Sequence, residues 1–251
     1  MGAPAMNQPA RWGMPLEAVH HLGDRLREYW NRYRAGFKTK TRDGSAYAYA
    51  YLRGQLRMAT GRHFANIARQ TGNSEQNMHH FMTNSPWRGE GIYRQIAEDI
   101  QAPPMLRRGG VLILDESAEE KAGDHRAGAQ KQQNGRLGKV ELSQVGGGLA
   151  YANLTSSPVW TWGTGDLFMP EAWFTDELAV ERRELEVPDE LRFRTKVEIG
   201  WELIQQEVQE YGLEVEVVCF DALYGRSAWL RGHLRDASLI SLADIPCDTS
   251  V

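Results

Sequence analysis

The stretch VLILDESAEEKAG, residues 111–123, sets four apolar residues, Val111 to Leu114, directly ahead of Asp115 and then turns charged. A short run rich in branched residues, preceded by Gly109 and Gly110, reads as a buried strand. A carboxylate at the edge of a core is costly unless it is paired or binds a cation. Asp115 is therefore either half of a salt bridge or a metal ligand, and the flanking sequence has to decide.

Downstream, strand patterns recur. SQVGGGLAYAN (143–153) is a Gly-interrupted strand candidate, and PVWTWGTGDLFM (158–169) is an aromatic-rich one. TKVEIGWELIQQEVQEYG (195–212) follows, with Val197, Trp201, Ile204 and Val208 at helical spacing and Gly212 as a stop. LEVEVVCFDALYG (213–225) then reads as a strand that runs into Asp221, RSAWLRGHLRDA (226–237) as a helix and SLISLADIP (238–246) as a strand. Three strands, helix, strand, helix, strand is the layout of an RNase H-like core. In that layout the first and fourth strands are neighbours, so Asp115 and Asp221 converge. Two hard oxygen ligands suit Mg²⁺, which keeps several waters and takes one or two carboxylates from a protein. Two such ions about 3.5–4 Å apart can activate a water and stabilise the leaving oxygen of a phosphodiester.

Upstream the pattern is helical. Residues 16–37 and 46–59 repeat apolar positions at three- and four-residue steps. GRHFANIARQTG (61–72) and SEQNMHHFMTNSPW (74–87) read as helix, turn, helix, with Ser74 as an N-cap. That pattern suits a plain helical bundle and also a helix-turn-helix whose second helix presents Gln76, Asn77, His79 and His80 to DNA. The proline- and glycine-rich stretch APPMLRRGG (102–110) marks a change of domain. The expected organisation is a flexible leader over 1–14, a helical DNA-binding region over 15–104 and an RNase H-like catalytic domain over 105–251. The fold class is α+β with an α/β core, a helical bundle followed by an incomplete mixed sheet.

Charge follows the same division. Residues 1–110 hold 16 Lys/Arg against 8 Asp/Glu, leaving 13 against 25 for residues 111–251, although the chain's net charge is only −4. A basic part joined to an acidic one fits a nucleic-acid-binding module beside a metal-using domain. With 41% hydrophobic and 25% charged residues the composition is globular. No apolar run reaches the roughly 18 residues of a membrane span. The N-terminal residues lack the apolar core of a signal peptide. Cys219 and Cys247 are too few for a disulfide framework, which fits a reducing cytoplasm.

The strings ILDESAEEKAG, GRLGKVELSQVG, DLFMPEAWFTD, VPDELRFRTK and FDALYG, in that order, resemble the catalytic domain of DDE-type insertion-sequence transposases. HHFMTNSPW is similar to the end of that family's helical region, so the resemblance covers most of residues 60–251. It implies a recombinase that binds terminal inverted repeats of double-stranded DNA, cuts with Mg²⁺ (Mn²⁺ as substitute) and joins the freed 3′-hydroxyl to target DNA. Asp115 matches the first acidic residue and Asp221 the second. The third, a Glu on a helix after the fifth strand, has no match, which leads to the expectation that this chain by itself is catalytically incomplete. A non-catalytic DNA-binding remnant, pairing with itself or with a full-length transposase, and a structure-specific RNase H-like nuclease are the alternatives.

Lys121, Lys131, Arg136 and Lys139 lie in a Gly-rich segment after Asp115 and are expected to hold phosphates. Lys196, which closes the VPDELRFRTK string, is placed with them as a DNA contact. Glu116 points to the opposite strand face from Asp115 and is not assigned to the metal. His125 is expected in solvent, Asp124 and Asp176 in loops, and Trp160, Trp162, Phe168 and Trp173 in the core or at its edge.

Overall fold

The computed structural model describes residues 17, 20–123, 125–153 and 159–244. The 1–14 leader, Asp124 and Cys247 lie outside them. The chain divides into two compact units, one up to Gln95 and one from Ile96. Among the described residues no helix is long and apolar enough to cross a membrane.

The first unit is helical: α1 (Leu22–Tyr33), α2 (Ser45–Arg57), α3 (Phe64–Thr71), α4 (Glu75–Thr83) and the start of α5 (Glu90–Gln101). Aromatic rings fill its centre, with Trp30 on Phe37 at 5.3 Å and Phe81 on Trp87 at 5.9 Å between centroids. The α3–α4 turn forms as its residues dictate. Gly72 takes the left-handed conformation that ends α3, and the Ser74 side chain accepts the Asn77 amide to cap α4. Gly54 lets α2 and α3 approach, because a Cβ there would stand 2.6 Å from Ile67 Cγ2.

The second unit is built on a six-stranded mixed sheet: β1 (Gly110–Glu120), β2 (Gln130–Asn134), β3 (Lys139–Asn153), β4 (Val159–Phe168), β5 (Val217–Phe220) and β6 (Ile240–Ala243). β1 pairs β3 antiparallel and β5 parallel, β5 pairs β6 parallel, and the long β3 carries both β2 and β4 on its other edge. Without β2 the strands run third, second, first, fourth, fifth across the sheet, the RNase H-like order. The sequence pattern missed β2, because QKQQN carries no apolar alternation and is held as a strand only by its ladder to Lys139–Ser143.

Helices α6 (Ala179–Glu184), α7 (Lys196–Gln205), the single turn α8 (Ala222–Gly225) and α9 (Ala228–Asp236) complete the unit. Ile199, Leu203 and Ile204 of α7 and Leu230 and Leu234 of α9 pack on Leu112, Leu114, Leu149, Tyr151, Val218 and Phe220. Ile96 and Ile100 at the end of α5 join this core, so the unit begins before the Pro103–Pro104 pair. Trp173 is buried in a satellite cluster with Met169 and Val187, and Phe168 is half-buried. Trp160 and Trp162 correct the expectation of burial. They are 71% and 62% exposed on the sheet face opposite α7 and α9.

Candidate catalytic site

The site grows out of strand register. In the parallel β1–β5 pair Leu112 stands beside Val218 and Leu114 beside Phe220, and these alternate residues point into the helix-covered core. The next residue along each strand is Asp115 and Asp221. Side chains alternate, so both carboxylates emerge on the opposite face of adjacent strands, Asp115 midway along β1 and Asp221 just past the end of β5. Both residues are exposed. Asp221 caps α8, its Oδ1 accepting the amides of Leu223 at 3.0 Å and Tyr224 at 3.5 Å. Asp115 Oδ1 accepts the amide of Glu116 at 2.7 Å. These bonds hold one oxygen of each carboxylate in place and leave the Oδ2 atoms for another ligand.

Across β1, Asp115 faces Gly148 and Glu116 faces Gly147. The Gly146–Gly148 run leaves bare backbone beside the carboxylates, so nothing with a side chain crowds the approach from β3. Glu116 sits on the core side, where Lys196 Nζ lies 2.5 Å from its Oε2 and 5.3 Å from the Phe168 ring centre. Tyr224, one turn into α8, is fully buried and its hydroxyl has no hydrogen-bond partner. Burial pushes the phenol's pKa up, and the charges of Glu116, Asp221 and Asp115 push it further. Among the described residues no group of three or more His, Cys, Asp or Glu side chains could jointly hold a metal ion. The pair Asp115 and Asp221, exposed and oxygen-only, has the donor chemistry of a Mg²⁺ site completed by water.

Over residues 32–251 the sequence matches the DDE superfamily endonuclease family. The chain belongs to this family. A probable transposase for insertion sequence element IS701 from Microchaete diplosiphon is 30% identical over 162 residues, 64% of this chain and 38% of that protein. The chain thus spans well under half the length of this relative. A crystal structure of a pre-cleavage Mos1 transpososome is similar at 11% identity and a TM-score of 0.18, over 78% of this chain and 58% of that one. So low a score bears no weight, and the fold rests on its strand order. The resemblance to DDE-type insertion-sequence transposases holds at the level of the family.

In this DDE-family chain the basic residues expected at DNA are dispersed. Lys131 lies on β2, Arg136 in the turn before β3, Lys139 at the start of β3, and Lys121 just after β1 with its amide on Leu142 O at 2.9 Å. Alternation along the β2–β3 ladder sends Lys131 and Lys139 to opposite faces. Lys139 pairs with Glu141 at 2.6 Å, which raises the lysine's pKa and lowers the carboxylate's. Lys196 is engaged with Glu116, well apart from this hairpin in sequence. His125 is exposed, 3.5 Å from Glu181, and Asp176 is exposed in a short 3₁₀ turn.

Three groups escaped sequence reasoning. Arg194 bridges Asp166 at 2.7 Å and Glu202 at 2.6 Å, joining β4 to α7. Tyr224 gave no signal, since one aromatic in a turn is uninformative. Glu207 is buried, and its place on the stripe of Gly200 and Ile204 at helical steps was a readable sign.

Proposed function

We propose that this chain carries the DNA-binding and catalytic parts of an insertion-sequence DDE transposase. The observation that supports it is the register that sets Asp115 and Asp221 side by side beyond Leu114 and Phe220. In this reading the helical unit binds terminal inverted repeats and target DNA, with α4 reading bases; in the sheet unit Lys121, Lys131 and Arg136 contact phosphates, and Lys139 and Lys196 do so by exchanging Glu141 and Glu116 for a phosphate. Asp115 and Asp221 hold Mg²⁺, which supplies Lewis-acid stabilisation of charge on the phosphate oxygens. The chain's own groups position the reaction: the amide bonds on Oδ1 of Asp115 and of Asp221 leave each carboxylate an outer oxygen for the site. At that site water oxygen attacks phosphorus and releases its proton to solvent, the phosphorus–3′-oxygen bond breaks, and the departing oxygen takes a proton from solvent. Strand transfer repeats the substitution with the freed 3′-hydroxyl as nucleophile.

A second reading, a protein that binds DNA and metal without cutting, is favoured by the convergence of only two such carboxylates among the described residues. One set of measurements separates the two. Calorimetric titration with Mn²⁺ should show binding to the native chain and at least tenfold weaker binding to Asp115→Asn and to Asp221→Asn, because the amide keeps the shape and removes the charge. Unchanged titrations in both variants would refute the ligand assignment. Nicking of DNA carrying the element's ends, lost in Asp115→Ala, selects the catalytic reading; metal binding without nicking selects the other.

A further inference from the structure

A second site lies in the helical unit, where a cavity of about 190 Å³ opens beside α4. Its walls are the rings of Phe37, Tyr47, Phe81 and Trp87, which pack in sequence: Tyr47 on Phe81 at 6.1 Å and 27°, Phe81 on Trp87 at 5.9 Å and 16°. Its rim is polar and fixed. Arg42 Nη1 contacts His80 Nε2 at 2.8 Å, and Asn77 Nδ2 donates to the Tyr47 hydroxyl at 3.1 Å. Arg42, Asn77 and His80 are exposed, while Phe37, Tyr47 and Trp87 are only half-buried. Core aromatics of a small bundle normally close against each other. Here they do so and still line an open cavity whose mouth carries a guanidinium, an amide and an imidazole.

We propose that this cavity receives a single unstacked nucleobase from bound DNA; the inference rests on the reading of the helical unit as the DNA-binding part. A base has two π faces and a polar edge, so it needs aromatic walls and a rim of donors and acceptors, and the cavity offers both. The base's own phosphate needs a cation, and Arg42 sits at the rim on the turn closed by the Lys38–Asp43 bridge, with Lys40 exposed beside it. A lipid or a plain apolar ligand would have no use for this rim. An isolated phosphate would have no use for the rings. Asn77 and His80 both belong to α4, so any base taken into the slot is presented by the helix that the helix-turn-helix pattern assigns to DNA.

The test uses the full chain and three fluorescein-labelled duplexes of one sequence: fully paired, with one bulged adenine, and with one bulged abasic residue. Anisotropy titrations should give about tenfold tighter binding to the adenine bulge than to the abasic bulge, within the range for one base stacked on aromatic side chains. The abasic duplex controls for bending and flexibility. Tyr47→Leu and Trp87→Leu, which remove ring walls of the cavity, should each remove that preference while paired-duplex binding persists, with thermal melts confirming the fold. If one of them fails to fold, the other decides. Equal affinity of the native chain for the two bulges, or a preference that survives in the folded variants, overturns the base pocket and leaves DNA binding standing. Failure to bind any of the duplexes overturns the DNA-binding reading and this proposal with it.

Discussion

Glu207 lies beneath the irregularity in the β3–β4 ladder, where Gly148 pairs Gly165 but Ala150 pairs Trp162. That bulge leaves the Thr164 amide off the ladder, and Glu207 Oε1 accepts it at 2.7 Å. Gly163 makes the approach feasible, since a Cβ there would overlap Glu207 Oε1. Oε2 is buried without a partner. Burial raises the Glu207 pKa, against the opposing pull of the Thr164 bonds. A folded-state value above the unfolded one means that the folded chain holds the proton more tightly. Stability is thus highest below the unfolded carboxyl pKa and falls as pH rises from there through the folded value. Glu207→Gln keeps the acceptor and removes the charge. Its sheet unit should melt higher than the native one at pH 8, by roughly 2–4 °C for each kcal/mol gained, and the difference should shrink toward pH 4. Melting curves with a constant offset across that range would refute the titration. Tyr224→Phe removes a buried hydroxyl without a partner and should be neutral or stabilising by about 1 kcal/mol in urea unfolding; a clear loss would show that the hydroxyl is bonded after all.

Among the elements, α7 is the one that most directly fixes β1. A Cβ on Gly200 would stand 2.7 Å from Leu114 Cδ2 and 3.0 Å from Tyr224 Cε1, and both neighbours are fully buried with nowhere to retreat. Gly200→Ala gains up to about 1 kcal/mol of helix propensity. Overpacking costs typically about 1–3 kcal/mol, so the variant should lose about 1 kcal/mol net and shift β1 beside Asp115. The check is the urea midpoint together with Mn²⁺ affinity; an unchanged midpoint would mean the helix simply lifts. The apolar stripe of α7 was legible, because it obeys local spacing. The π turn at Gln206–Glu210, which brings Glu207 under the bulge, was not. It answers to an unpaired amide forty-three residues earlier in the chain.

In the sheet unit α7 and α9 cover one face, and among the described residues large apolar side chains of the other face stay exposed. Trp160, Trp162, Ile113, Ile240 and Leu242 are all exposed there, the last two at 66% and 67%. Register puts them on the face of Asp115 and Asp221. An apolar surface of this kind favours self-association. Ile240→Ser with Leu242→Ser should lower light scattering and dye binding by exposed apolar surface, without lowering the melting temperature by more than a few degrees. Equal scattering in both proteins would show that the face is not adhesive. The sequence alone determined the succession of strands and helices, apart from β2 and α6, and the place of Asp115 and Asp221 directly after apolar strand residues, because each depends on periodicity over a few residues. Tertiary structure alone decided which apolar residues are covered, that Lys196 meets Glu116, and that Trp160 and Trp162 stand in solvent. An apolar strand reads the same whichever face receives a helix, and pairings across long stretches of chain leave no local pattern to read.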